Sequence, residues 1–163
     1  PIFLDPRLKK LGARLIINLE KLYLSLKKLE LKTAKIEDYY KFSHELGVSQ
    51  IDNDKLQNKI FGIECNFEEL NGIDFKKGCY VGQENTARIK LKNKLSKKLF
   101  AIKIIEGNIS GEEIFLKDKE VGKLLIKNKN PFALIKIKDD LLDFENIYQC
   151  GEAKLKILKP AWI

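Results

Sequence analysis

The chain has 163 residues and a formal net charge of +8, and 44% of its residues are hydrophobic. This length suits one domain or two small ones, and no apolar run approaches the roughly 20 residues that cross a bilayer. The N-terminal stretch places its apolar residues before its charges, unlike a secretory signal peptide. These features predict a soluble chain.

The positive charge comes almost entirely from lysine, since only three of the 31 basic residues are arginines. The lysines are not interleaved with aromatic residues, whereas specific recognition of nucleic acid usually recruits arginine and stacking aromatic side chains. The pattern favours a solvated, lysine-rich surface. A dedicated nucleic-acid face stays open as the alternative.

The three cysteines, Cys65, Cys79 and Cys150, form no CxxC pair and are odd in number. Such usage is typical of reduced thiols in a bacterial cytoplasm or a mitochondrial matrix. A zinc site would need all three together with the single histidine, His44, and none has the local spacing of a zinc motif, so we expect no metal site. Because the chain contains no methionine, we expect it to begin inside a longer protein.

The first third of the chain mixes predicted strands with a predicted helix. A β-rich run from Arg14 to Leu19 predicts a strand, and residues 21–32 alternate apolar and polar in places, which weakly indicates a strand or short hairpin. Residues 36–46 have apolar side chains at helical spacing and end at Gly47, so they predict an amphipathic helix. His44 falls on this helix, where a surface or packing role is favoured over catalysis.

The middle of the chain has weaker signals. Phe61–Glu64 predicts a short strand, and Asn66 is a candidate cap for a helical turn through Leu70. The dipeptide at 71–72 signals a turn. A helix is predicted from Gln83 through Lys90, with Gly82 as its N-cap.

From residue 98 to 158 the chain reads as short β-segments separated by turns. The segments are "KLFAIKII", "EEIFL", "EVGKLLI", "FALIKIK" and "AKLKIL". Several short strands at this spacing predict a small antiparallel barrel. We place the domain boundary near Lys94, so that residues 1–94 form a mixed α/β region and residues 95–163 form the barrel.

The stretch "KKGCYVGQENTAR", residues 76–88, places a cysteine between two glycines just before a predicted helix. Gly78 and Gly82 would expose the sulfur of Cys79, and a helix N-terminus with nearby lysines favours a thiolate. The alternative is a small buried cysteine in a tight glycine turn. A cysteine-histidine hydrolase is disfavoured because the only histidine lies far upstream without a partner motif, and the stretch lacks the Gly-Lys-Ser/Thr ending of a phosphate loop.

Glu64 is an acidic residue in the otherwise apolar run "IFGIECNF". A carboxylate there can accept paired hydrogen bonds from an amino-substituted heterocycle. The alternative is a glutamate that faces water from an edge strand. The residues alone favour the second reading.

The order of three motifs resembles the YgfZ/IBA-type folate-binding proteins, which belong to the superfamily of the glycine-cleavage T-protein (aminomethyltransferase). The motifs are "DPRLKKLGARL", "GIECNFEELNGIDFKKGCYVGQENTAR" and a β-rich tail with "GEEI", "VGKLL" and "FALIKIK". The signature K-G-C-Y-x-G-Q-E is matched without a gap from Lys77 to Glu84. The resemblance spans essentially the whole chain but only the C-terminal half of such a protein. It implies an α+β fold: the later part of a ferredoxin-like folate-binding body, followed by a small antiparallel β-barrel.

The resemblance also implies site residues. Glu64 matches the acidic contact to the pterin ring of tetrahydrofolate or a derivative, and Cys79 matches the characteristic cysteine, a catalytic residue or a transient cluster contact. Tyr80 and Arg88 are implied folate-binding residues, and Arg88 also holds the loop or an anion. The remaining loop positions are Lys77, Gly78, Gly82, Gln83 and Glu84. Two departures are Cys65, where alanine is usual, and "IKLKNK" after the arginine, which lacks the usual Arg-Gly and puts an anion-binding role in doubt.

The function implied by the resemblance is that of a folate-dependent accessory factor in assembly or repair of [4Fe-4S] proteins, linked in bacteria to tRNA modification. Its implied partners are folate, iron-sulfur assembly factors and client enzymes, with tRNA contacted only indirectly and no membrane. One alternative is a tetrahydrofolate-dependent aminomethyltransferase-like enzyme, for whose acidic catalytic residue this chain offers no evident candidate. A tRNA-binding module is the other, and it predicts steeply salt-dependent binding.

Overall fold

The helices and strands of the chain follow an α+β order, as predicted. The computed structural model describes residues 1–78, 81–92, 94–138 and 142–163. The elements are β1 Ile2–Leu4, β2 Ala13–Leu15, α1 Leu19–Lys28, α2 Ile36–Glu45, α3 Gln83–Leu91, β3 Lys97–Glu106, β4 Glu113–Leu116, β5 Lys119–Ile126, β6 Phe132–Lys136, β7 Tyr148–Cys150 and β8 Ala153–Ile157, with 3-10 turns at Lys9–Leu11 and Asn53–Leu56. No helix in the described ranges is long and apolar enough to span a bilayer.

The last six strands close into an antiparallel barrel in the order β3-β6-β5-β4-β7-β8. Side chains alternate in and out along a strand, and the inward set forms a core in which Phe100, Ile114, Tyr148 and Leu155 are almost fully buried. The predicted barrel is therefore confirmed. The strand β7 was not predicted, because three residues carry too little periodicity to stand out.

A second core lies on the outside of the barrel. Residues 99–102 of β3 are all buried, although alternation along the strand turns two of them away from the barrel interior. Leu99 and Ala101 pack with Leu56, Ile126 and Phe132, whereas Phe100 and Ile102 belong to the barrel core. The part of the chain before the barrel thus packs against the outer face of β3, β5 and β6. The boundary near Lys94 lies between α3 and β3 and stays a prediction.

The strands β1 and β2 form a two-stranded antiparallel sheet whose turn is closed by Asp5. The Asp5 carboxylate is buried and accepts hydrogen bonds from Arg7 at 2.9 Å and from Arg14 at 2.7 Å. The guanidinium of Arg7 holds the pKa of Asp5 well below its usual range, and Arg14 adds to the effect. Two of the three arginines therefore stabilise one hairpin, a role that the sequence analysis did not anticipate.

The prediction of a strand or hairpin over residues 21–32 was wrong, because this segment belongs largely to α1. The side chain of Asn18 caps the helix by accepting a hydrogen bond from the Glu20 N–H at 2.9 Å. The predicted strand from Arg14 to Leu19 ends earlier, at Leu15. Local apolar alternation was outweighed by this cap and by leucines that also recur at three- and four-residue spacing.

The predicted helix over residues 36–46 is confirmed as α2. It ends in two hydrogen bonds, from the Gly47 N–H to His44 O and from the Val48 N–H to Ser43 O, with Gly47 at a φ of 77°. His44 is buried, which fits the packing alternative of the prediction and not the surface one. Its Nε2 lies 3.0 Å from the carbonyl oxygen of Pro131, and its ring meets Phe132 edge-on.

Candidate functional site

Residues 61–72, called the turn segment here, form a series of tight turns beside the barrel. The Leu99 N–H donates to Glu64 O at 2.8 Å, and Asn66 Nδ2 donates to Leu99 O at 2.7 Å. Both backbone groups of one β3 residue are thereby joined to the turn segment. The prediction of a strand over 61–64 was wrong because the Glu64 N–H bonds back to Phe61 O at 2.9 Å, within a turn.

The predicted turn from Asn66 to Leu70 is present, because the Leu70 N–H donates to Asn66 O at 2.9 Å, but the Asn66 side chain does not cap it. Asn66 has a φ of 62°, in the left-handed region, and its side chain is turned towards β3 instead. Asn66 is 1% exposed, and its Oδ1 accepts no hydrogen bond from any described residue. The predicted turn at residues 71–72 is confirmed, with Asn71 at a φ of 57°.

Glu64 is half-buried and caps its own turn. Its Oε2 accepts a hydrogen bond from the Phe61 N–H at 2.9 Å. The described residues contribute no partner to its other oxygen, Oε1. The side chain is thus neither on an edge strand nor fully free, and one of its carboxylate oxygens is held in place.

A cavity of about 500 Å³ lies between the turn segment, the end of α2 and β3. Its walls are mainly apolar and include Leu56, Ile60 and Leu99, with Cys65 and Asn66 contributed by the turn segment. Burial raises the pKa of the Cys65 thiol to about 11, and the Glu64 charge adds to the effect. Cys65 is therefore protonated at neutral pH and is a poor nucleophile.

Residues 76–82, called the motif loop here, precede α3 in the sequence. Cys79 and Tyr80 lie outside the described residues, so their predicted roles stay predictions. Gly82 directly precedes α3 and has a φ of 85°, which favours glycine. Among the described residues, both Gly78 and Gly82 border open space, because a Cβ added at either would meet none of their atoms within 4 Å.

The predicted helix that follows the motif loop is confirmed as α3. Gln83 begins it and is half-buried, Glu84 is exposed in its first turn, and Arg88 is exposed near its end. No hydrogen bond or ion pair among the described residues joins Glu64 to Glu84 or Arg88. The predicted anion or loop contact of Arg88 stays a prediction, and Lys77 is exposed at the other end of the loop.

Lys90, which the sequence analysis did not single out, ties α3 to the turn segment. Its Nζ lies 2.6 Å and 2.7 Å from the two carboxylate oxygens of Glu68 and 5.5 Å from the centre of the Phe75 ring. Glu68 and Lys90 are 22 residues apart, so no short-range pattern could have revealed the pair. In the described ranges, no cluster of three or more His, Cys, Asp or Glu side chains is placed to hold a metal ion.

Three curated proteins similar to this chain share the name IBA57. The chain is 33% identical over 102 residues to the mitochondrial iron-sulfur cluster assembly factor IBA57 homolog of Dictyostelium discoideum. It is 35% identical over 69 residues to mitochondrial IBA57 of Mus musculus, and 32% identical over 95 residues to the homolog of Neurospora crassa. Over part of its length the chain is thus similar to proteins named as IBA57 iron-sulfur cluster assembly factors.

These matches confirm the predicted resemblance to IBA-type proteins. They cover 62%, 42% and 58% of the chain, but only 25%, 19% and 21% of the three IBA57 relatives. The chain therefore spans about a quarter or less of the length of the curated relatives it matches. No protein-family model matches the chain.

Proposed function

We propose that this chain acts in the assembly of iron-sulfur clusters, as part of a longer protein. The observation that carries the proposal is its similarity to three proteins that are named as iron-sulfur cluster assembly factors. Those relatives are also named as mitochondrial, which supports a mitochondrial matrix as the place of action, with a bacterial cytoplasm as the alternative. The partners in this role are other assembly factors and the enzymes that receive [4Fe-4S] clusters.

Within this role, the proposed chemical group is the thiol of Cys79. The flanks of the motif loop support this assignment, because Gly78 and Gly82 border open space among the described residues and α3 begins at Gln83, four residues after the cysteine. The backbone N–H groups at a helix N-terminus favour a negative charge nearby. A thiolate at this position would bind iron of a cluster in transit.

Tetrahydrofolate, or a derivative, is the proposed cofactor. Glu64 fits a pterin contact because Oε2 is fixed by the Phe61 N–H while Oε1 has no partner among the described residues. A carboxylate held in this way can accept a hydrogen bond from an amino group of the ring without losing its own anchor. Tyr80 and Arg88 are the further proposed contacts. When bound, the folate would supply its one-carbon or redox chemistry.

The link to tRNA modification follows from clients rather than from direct binding of tRNA. Many lysines on the outer surface of the barrel are neutralised in pairs, such as Lys154 with Glu106 and Lys136 with Glu120. Lys123 and Lys127 share Glu112. This pairing disfavours a bare basic face for nucleic acid on the barrel, although a tRNA-binding module and a one-carbon transfer enzyme remain the alternative proposals.

The proposed function is tested by depleting the full-length protein from cells that produce it. We expect the activity of [4Fe-4S] enzymes to fall several-fold while enzymes without clusters keep their activity. If the [4Fe-4S] enzymes kept their activity after depletion to the same extent as the enzymes without clusters, the proposal would be contradicted. Folate binding is tested separately, by titrating tetrahydrofolate into the full-length protein and its Glu64→Gln variant; equal affinity would remove Glu64 from the folate site.

A further inference from the structure

The helix α3 has little packing to hold it. None of its nine residues is fully buried, and Leu91 at its end is 85% exposed. A helix of this length is marginal in water on its own, so its position depends on contacts with the rest of the chain. The contacts of Lys90 are therefore of interest beyond their small contribution to global stability.

Lys90 meets two groups that flank the motif loop on its N-terminal side. Both oxygens of Glu68 accept hydrogen bonds from its Nζ, at 2.6 Å and 2.7 Å, and the ring of Phe75 lies 5.5 Å away. Just beyond Phe75, the Lys76 N–H donates to Asp74 Oδ1 at 2.8 Å. The chain from 68 to 90 is thus closed into a loop whose two ends touch at the Glu68–Lys90 pair.

Glu68 stands on a part of the chain that is itself fixed. Its neighbours in the turn segment are hydrogen-bonded to both backbone groups of Leu99 in β3. The adjacent Glu69 forms an ion pair with Lys98, also in β3. A continuous set of polar contacts therefore runs from the barrel through the turn segment to α3.

We infer that Lys90 is a positioning residue: its contacts with Glu68 and Phe75 fix α3, and with it the C-terminal end of the motif loop, relative to the turn segment and the barrel. The inference rests on the proposed function only in that α3 follows the sequence motif that contains Cys79. The Glu68–Lys90 pair, rather than burial of α3, fixes the position of this helix. Salt weakens the pair because both side chains are partly exposed.

The test is hydrogen exchange of the α3 amides in the 163-residue chain, with the barrel strands as internal reference. Glu68→Gln removes the charge partner without altering the sequence of α3. We expect the α3 amides to exchange at least threefold faster in this variant, while the barrel amides keep their rates. Added salt should speed α3 exchange in the natural chain and have little effect in the variant.

Three further variants make the test specific to the pair. Lys92→Gln, at the end of the same helix, removes a lysine without a partner among the described residues and should leave α3 exchange unchanged. Lys90→Arg keeps a cation that can bind both oxygens and should preserve protection, and the double exchange Glu68→Lys with Lys90→Glu should restore it.

The loop itself is followed by the rate at which iodoacetamide alkylates Cys79, read by mass spectrometry beside Cys65 and Cys150. We expect this rate to change at least threefold in Glu68→Gln and to return towards the natural value in the double exchange, whose net charge is unaltered. Unchanged α3 exchange in Glu68→Gln, or failure of the double exchange to restore it, would overturn the inference. Neither readout uses cluster chemistry, so the inference and the proposed function can fail independently.

Discussion

The barrel buries its inward apolar side chains, whereas the region before it leaves several apolar side chains exposed. In the barrel, inward side chains such as Ile114 and Leu155 have no exposed surface. In the first 36 residues, by contrast, Ile2 is 71% exposed, Leu19 79% and Tyr23 71%. The inward side chains of the barrel bury one another. Exposed apolar surface like that of the first 36 residues is typical of a face that another segment or protein covers. The candidate site lies where the two regions meet.

The largest expected effect is a difference in the free energy of unfolding between one apolar substitution in the barrel and one in the region before it. Phe100 is 2% exposed and packs against Phe144, so Phe100→Ala should lower the free energy of unfolding by about 3 to 5 kcal/mol. Leu19→Ala on α1 should change it by less than about 0.5 kcal/mol. Urea unfolding of both variants measures this difference. Similar losses of unfolding free energy in the two variants would contradict it.

Substitution of one glycine in each region compares the backbone of the barrel with the backbone before α3. A Cβ at Gly122 in β5 would lie 2.5 Å from the carbonyl oxygen of Leu134, so Gly122→Ala should cost about 1 to 3 kcal/mol through strain in the barrel. At Gly82 an added Cβ meets no atom of the described residues, but Gly82→Ala must keep a φ of 85°, which costs about 1 kcal/mol. Thermal unfolding measures the first change. The second should appear as faster hydrogen exchange in α3, and unaltered exchange there would contradict the role given to Gly82.

The hairpin of β1 and β2 depends on charge rather than on burial. Asp5→Asn removes the ionic partner of both arginines and should destabilise the protein by about 1 to 3 kcal/mol at neutral pH. Because the pKa of Asp5 is lowered from its usual 3.8 in the folded state, its contribution is present above that pH and is lost as the pH falls below it. Stability measured at pH 7 and pH 3 should therefore differ less in Asp5→Asn than in the natural chain.

The smallest expected effect concerns His44, at the junction of the two regions. Burial lowers the pKa of His44 from its usual 6.5, so the unfolded chain takes up a proton first as the pH falls. Stability should be greatest above pH 6.5 and decline below it, by at most about 1.4 kcal/mol for each pH unit. Urea unfolding between pH 7.5 and 5.5 should show a weaker dependence in His44→Gln; the same dependence in both proteins would exclude this histidine as its source.

The sequence predicted local features well where one signal was strong. Five of the six barrel strands and α2 follow from periodicity, α3 follows from the helix-forming residues after Gly82, and Gly47 and Gly82 mark helix boundaries through their positive φ. The prediction of a strand or hairpin over residues 21–32 was wrong because their apolar positions satisfy part of a strand pattern as well as a helical one. For the site, motif matching gave Glu64 and the motif loop. The Glu68–Lys90 pair and the anchoring of Asn66 to Leu99 depend on folding of distant segments, and no local rule encodes them.

We propose that Cys79 supplies the thiol used in iron-sulfur cluster assembly. The most direct measurement is the specific activity of a [4Fe-4S] enzyme in cells that depend on the full-length protein, with Cys79→Ala compared against Cys65→Ala. We expect a several-fold loss of that activity with Cys79→Ala and little change with Cys65→Ala, at equal levels of both proteins. Full activity of the [4Fe-4S] enzyme with Cys79→Ala would contradict the account.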